Sequence, residues 1–287
     1  MYKRQLSRIG KGELTVANTR LYEGSSIQMN ALGFATKVGA SGAFGVSLVA
    51  MDFGDIDITT TSQPGGTGGT LPVNFFNLGL GYAYTYENKI SVGILVRTIS
   101  ESTPDVSAFG FAIDAGVQYV TGDREEFKLG ISLRNVGSPM EFGGEGLSFR
   151  TAAPDADVGF DITVNQRSQD FELPSILNIG ISYDFYFGEQ NYLRTLANFT
   201  SNAFSKDDIG VGAEFHFRNI VALRAAYRLS LDGGSDIPDN LYTGFAGGIS
   251  IDVPLKRAEN RVVGIDYAYR TTNPFGGTHN FSLRYGF

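Results

Sequence analysis

The chain has 287 residues, a formal net charge of -7, 37 glycines, 22 phenylalanines, 14 tyrosines and no cysteine. No stretch approaches the ~18 consecutive apolar residues of a spanning helix, so a helical membrane protein is excluded; the missing cysteines exclude a disulfide framework and any thiolate metal site. The acidic balance leaves no basic stripe to neutralise phosphates, which argues against nucleic acid as a partner.

Met1, Tyr2, Lys3, Arg4 and Gln5 carry charge without an apolar core behind them, so they do not make a secretory signal. Export is nevertheless expected on the grounds below, and with it a signal peptide and a plug segment ahead of the first residue. From Leu14 onward, alternation of apolar and polar side chains recurs almost everywhere, which is the period of a strand. Phe76, Leu78, Leu80, Tyr82, Tyr84 and Tyr86 share one face, and Asn77, Gly79, Gly81, Ala83 and Thr85 the other. Phe109, Phe111, Ile113, Ala115, Val117 and Tyr119 repeat the pattern, as do Leu177, Ile179, Ile181, Tyr183 and Phe185. About fourteen strands are predicted, over 14–21, 26–38, 43–62, 73–86, 89–101, 107–121, 125–136, 173–187, 191–201, 207–217, 220–231, 240–252, 261–271 and 278–287.

The connections alternate in length. Short turns fall at 39–42, 87–88, 122–124, 188–190 and 218–219, with longer polar or Gly/Pro-rich stretches at 62–72, 137–172, 202–206, 231–239 and 272–277. Outer-membrane barrels join their strands by short periplasmic turns and longer outer loops. The segments 254–260 and 22–25 depart from that rule in length. The chain closes on Phe281, Leu283, Tyr285 and Phe287, which share one face of a strand that ends on an aromatic residue. This resembles the signal read by the barrel-insertion machinery. The predicted fold is all-β: one domain over 1–287, a transmembrane antiparallel up-and-down β-barrel of about fourteen strands. It lies in the bacterial outer membrane with both termini periplasmic, and outer-membrane lipid is its neighbour.

The inward parity carries glycines and both signs of charge: Asp114, Lys128, Arg134, Asp184, Glu214, Arg224, Arg228, Asp266, Arg270 and Arg284. Glycines leave room near the wall, and mixed signs argue against a strongly ion-selective channel. A paired ionic network, a narrow aqueous pore and a segment seated inside the barrel are all compatible with that pattern. The 137–172 stretch is the predicted long extracellular loop and the most promising functional segment, too long for a simple turn. Its Met140, Phe142, Leu147, Phe149 and Phe160, together with Asp232 and Asp236 of another outer loop, are candidates for partner binding; self-packing over the mouth is the alternative.

Chemistry is sparse. His216 lies on the inner parity beside Glu214, and His279 starts the last strand, but no spacing marks a nucleophile for either. Asp232, Asp236 and Asp239 crowd one loop without the spacing of a calcium-binding loop. The Gly-rich 64–70 stretch has no lysine and opens no helix, so it holds no phosphate. No enzyme, cofactor or metal is expected.

An ordered set of segments resembles a family. It runs through 43–48 (Ala43 to Leu48), 54–60 and 64–68, then 112–119, 129–137, 173–175, 212–215, 223–227, 265–269 and 279–287. Together these are similar to the PorV/PorQ family, a branch of the FadL-like outer-membrane barrels. The resemblance covers nearly the whole chain, although no single motif is specific. It implies a fourteen-stranded barrel of Bacteroidetes-type bacteria that serves the type IX secretion system, with the translocon and the C-terminal signal domains of cargo as partners. The wider FadL-like group implies a transporter of small hydrophobic molecules, and a purely architectural barrel is the third reading. The family's Asn-Pro-Ala-Gly-like N-terminal turn is absent from this sequence.

Overall fold

In the computed structural model, residues 11–153, 159–231, 241–256 and 261–287 are described. Fourteen strands close into one antiparallel barrel: β1 (Gly12–Arg20), β2 (Gln28–Val38), β3 (Gly42–Asp52), β4 (Asn74–Tyr86), β5 (Ile90–Ser102), β6 (Ser107–Thr121), β7 (Phe127–Gly137), β10 (Ile176–Phe187), β11 (Asn191–Asn202), β12 (Asp208–Phe217), β13 (Val221–Ser230), β14 (Tyr242–Lys256), β15 (Arg261–Thr272) and β16 (Thr278–Gly286). Each pairs with its neighbour in sequence, apart from β7, which pairs with β10 across a two-stranded insertion, β8 (Ser148–Ala152) and β9 (Asp161–Asn165). No helix among the described residues is long and apolar enough to cross a membrane.

Closure is made by β1 and β16. Leu14 stands opposite Tyr285, Val16 opposite Leu283 and Asn18 opposite Phe281. The amides of Lys11 and Gly12 donate to the Phe287 carbonyl (3.0 and 2.9 Å), and the Phe287 amide donates back to the Gly12 carbonyl at 3.0 Å. Gly12 leaves room for the Phe287 ring at this seam: a Cβ there would stand 2.5 Å from it, so the ring would have to shift.

The alternation sorts side chains as a barrel requires. On β4, Leu80, Tyr82, Tyr84 and Tyr86 are exposed while Gly79, Gly81, Ala83 and Thr85 are buried. Leu80 is flanked in register by Val46 of β3, which is half-buried, and by Val96 of β5, which is exposed. Such a continuous apolar belt has no stable place in water and marks the face turned to lipid. Aromatic residues gather toward the short-turn end of the belt (Tyr84, Tyr86, Phe185, Phe187, Phe217), as interfacial girdles do. Closure leaves the barrel no edge whose backbone groups would face hydrocarbon unpaired.

Three local features differ from the expected strand pattern. Strand β3 ends at Asp52 rather than continuing to residue 62, although Ile56 and Ile58 keep the alternation. The Asp52 carboxylate accepts from the Gly54 amide at 2.9 Å and Gly54 takes φ 73°, a turn that only a residue tolerant of left-handed backbone allows. Strand β14 runs past residue 252 to Lys256, with Pro254 beside a register shift where a missing amide is tolerated. Finally, β8 and β9 form a hairpin inside the stretch expected to be a loop.

Candidate functional site

The inner wall carries a ladder of alternating charge. Asp184, Arg194, Glu214 and Arg224 stand directly opposite one another on β10, β11, β12 and β13. Arg194 grips Asp184 with two bonds of 2.6 and 2.8 Å and reaches Glu214 at 3.4 Å. Glu214 in turn bonds Arg224 and His216. Lys128 of β7 closes one end on Asp184. At the other end Arg224 bonds Ser250, which donates to Asp266, and Asp266 accepts from Ser282 (2.8 Å) and Arg284 (2.9 Å). Cations and anions therefore alternate from β7 through β16, all in the half of the barrel nearer the short turns. Opposite charges at cross-strand positions stabilise a sheet, and in a confined wall they satisfy one another where water is scarce.

Arg284 reaches past its neighbour strand. Its guanidinium also bonds Asp252 of β14 at 2.8 Å, crossing over Gly264 of β15. A Cβ at Gly264 would stand 2.5 Å from the Asp252 carboxylate and 2.9 Å from the Arg284 guanidinium. Gly264→Val is expected to break this contact and destabilise the barrel by about 1–2 kcal/mol, the lower end reflecting the partial exposure of both groups. The urea midpoint for loss of the folded-barrel gel mobility measures it, and an unchanged midpoint would refute the role given to Gly264.

A second polar knot sits higher on the wall. Asp114 of β6, 2 % exposed, accepts from Arg97 of β5 and from the Asn135 amide, both at 2.9 Å. Asn135 takes φ 60° at a register shift between β6 and β7, and its side chain bonds Arg97 and, at 2.7 Å, the Pro174 carbonyl. The bulge brings Asn135 onto the Asp114 carboxylate, while Arg134 is exposed and makes no ion pair among the described residues. Nearer the long-loop end, Asp208 accepts from Arg228, Ser230 (2.8 Å) and Asn202 (3.1 Å). Arg270 lies over the Tyr242 ring, 3.4 Å from its centre.

The long-loop mouth is lined differently. Met140 is 1 % exposed and packs with Ile99, Ala108 and Ala112 of the inner wall. Phe75, Phe142, Phe171 and Leu173 surround that cluster, with the Phe142 and Phe171 rings stacked at 5.4 Å. Two backbone bonds of 2.8 Å tie Met140 to Phe171, and two more tie Gly143 to Ser107. The first part of the long loop is thus folded onto the wall rather than held out to solvent. Leu147 is half-buried, whereas Phe149 and Phe160 are 52 % and 58 % exposed on and beside the β8–β9 hairpin. Asp232 and Asp236 lie outside the described residues. On the outer face, Phe281, Leu283 and Phe287 are exposed, and Tyr285 is half-buried against Phe287.

Arg97, Arg194 and Asp252 complete these networks and were not among the residues picked out from the sequence. For Arg97 the signal was present: Ile90, Val92, Ile94 and Val96 face outward, which turns Arg97 inward. Strand β11 alternates poorly, so Arg194 carried no such mark. His216 stacks on Tyr192 at 4.1 Å, and His279 meets the Tyr267 hydroxyl at 3.0 Å through Nδ1. Among the described residues no group of three or more histidine and carboxylate side chains is placed to hold a metal.

A closed fourteen-stranded antiparallel sheet with an apolar exterior and a charge-paired interior has the architecture of a membrane-spanning β-barrel, and its fold matches that of FadL-like outer-membrane barrels. In fold it is similar to the monoaromatic hydrocarbon channel CymD, with TM-score 0.61 and 13 % identity, covering 100 % of this chain and 91 % of that one. The Ralstonia pickettii toluene transporter TbuX gives TM-score 0.58 and 13 % identity over 99 % of this chain and 92 % of that one. A Pseudomonas aeruginosa FadL homologue gives 0.54 and 11 % over 96 % and 90 %. No protein-family model and no curated protein sequence matches the chain.

Proposed function

We propose that this barrel lies in the bacterial outer membrane, with its short turns and both ends on the periplasmic side, and admits small hydrophobic molecules through its long-loop mouth. The observation that carries the reading is the apolar cluster at that mouth: Ile99 and Met140 are buried there, and Phe75, Phe142, Phe171 and Leu173 pack against them on the inner wall. A concave apolar lining with a few polar groups nearby is what small apolar ligands require. Similarity in fold to proteins named as hydrocarbon channels and toluene transporters supports the same reading. The ionic ladder supports a passive, weakly charge-selective interior, since its cations and anions neutralise one another.

The test is uptake across a membrane that itself resists hydrocarbons. Outer-membrane vesicles with a lipopolysaccharide outer leaflet, with and without the barrel, are exposed to labelled toluene. Faster entry with the barrel is expected, and equal rates would end the transport reading.

The exposed Phe149 and Phe160 favour a second reading, docking of exported cargo signal domains and translocon proteins in type IX secretion, because apolar side chains held beyond the mouth suit a protein partner. Pull-down from native membranes separates the two: capture of signal domains without accelerated toluene entry favours secretion.

A further inference from the structure

We propose that the trough now filled by the Met140 side chain is a binding seat for a single-ring aromatic molecule, with Met140 as its displaceable occupant. The inference rests on the transport reading and names the site where it acts. Along β6 three successive inward positions, Ala108, Gly110 and Ala112, carry nothing larger than a methyl group. Their wall would be a shallow gap, and Met140 fills it. A Cβ on Gly110 would stand 2.5 Å from the Met140 Cγ and 3.0 Å from its Sδ, so the glycine makes the space the thioether occupies. Ile99 belongs to the same buried cluster as Met140, and Phe75, Phe142 and Phe171 pack against it.

The occupant is suited to leave. Methionine has three rotatable bonds and a polarizable sulfur, so it fills an irregular space and repacks against aromatic rings elsewhere at low cost. A β-branched or ring side chain would be fixed there. The strap that carries Met140 is held by backbone bonds to Phe171, so the side chain can swing out while its main chain stays in place. An apolar space about one side chain deep, lined by aliphatic and aromatic groups, takes benzene-like molecules. Because Met140 competes for the seat, the affinity of the wild-type protein is reduced by the fraction of molecules in which the side chain is seated.

The experiment labels the methionine methyl groups with carbon-13 in the full chain in lipid nanodiscs and titrates toluene. The chain has 4 methionines, and Met140→Leu assigns the one that matters. The Met140 methyl is expected to shift saturably, whereas Met29 and Met51 stay still. Met140→Ala is expected to bind toluene about tenfold more tightly, and Gly110→Ala about tenfold more weakly, because one removes the competitor and the other fills the seat from the wall. A packing role alone would not move the two variants in opposite directions. Folded-barrel gel mobility confirms that each variant is intact. A silent Met140 methyl alongside accelerated toluene entry overturns the seat and leaves transport standing. A saturable shift without accelerated entry supports the seat as a binding site and rejects transport.

Discussion

Asp184→Leu is expected to destabilise the folded barrel by about 3–5 kcal/mol, because it removes the anion that two cations on the inner wall share. Asp184 is the junction of the ladder: Lys128 bonds one of its oxygens, and Arg194 bonds both. The Lys128 side chain is only 8 % exposed, so water cannot take over the lost partner. Arg194, at 28 %, keeps Glu214 and some solvent and contributes less. The double variant Asp184→Leu, Lys128→Met is expected to recover a large part of the loss, since a buried pair replaced by apolar groups of similar volume is often neutral. Urea midpoints of the two proteins decide the matter. Equal midpoints for the single and double variants would mean that Lys128 finds water or another anion, and the ladder would lose its energetic meaning.

The second large effect lies on the opposite face. Leu80→Arg is expected to cost about 2–4 kcal/mol, the range for a cation on the lipid side near the bilayer midplane. Leu80 sits halfway along β4, half exposed, with Val46 and Val96 directly beside it in the same belt. Gly130→Arg supplies the contrast. Gly130 is on the inward parity of β7, and an added Cβ there would have nothing within 4 Å. Its arginine stays hydrated, and the change is expected to remain within about 0.5 kcal/mol, as for exposed positions elsewhere. The same charge on two faces of one wall thus reports which face meets hydrocarbon. If both variants folded equally well in lipid but Leu80→Arg failed only in water, the belt would instead be a protein interface.

Much of this was legible in the sequence because a barrel wall has two different neighbours. Lipid selects Leu80, Tyr82 and Tyr84 at every second place, and the lumen selects Gly79, Gly81 and Ala83 between them, so period and parity emerge together. The alternation failed where a backbone device interrupts it. Ile56 and Ile58 continue the strand pattern of β3, yet the Asp52–Gly54 turn has already taken the chain out of the sheet. Asn135 inserts an extra residue, and alternation alone cannot tell that it, rather than Arg134, bonds Asp114. The long loop was the least legible part. Nothing local distinguishes Met140, which is buried against a wall thirty residues earlier in the chain, from Phe149, which is exposed. That difference is created by Gly110, and only the fold brings the two together.

The seam between β1 and β16 has a kinetic consequence. Lys11 and Gly12 at one end of the described chain and Phe287 at the other are joined by three backbone bonds, which exist only once both ends have arrived. Every other neighbouring pair of barrel strands is joined by a far shorter connection, the longest being the insertion between β7 and β10, so the zipping of hairpins can proceed without them, whereas this last join bears the entropy of closing nearly the full chain into a ring. Completion of the cylinder is therefore expected to be the slowest event of its assembly, and shortening the ring phenylalanine or crowding the glycine opposite it is expected to delay maturation far more than it alters the finished object.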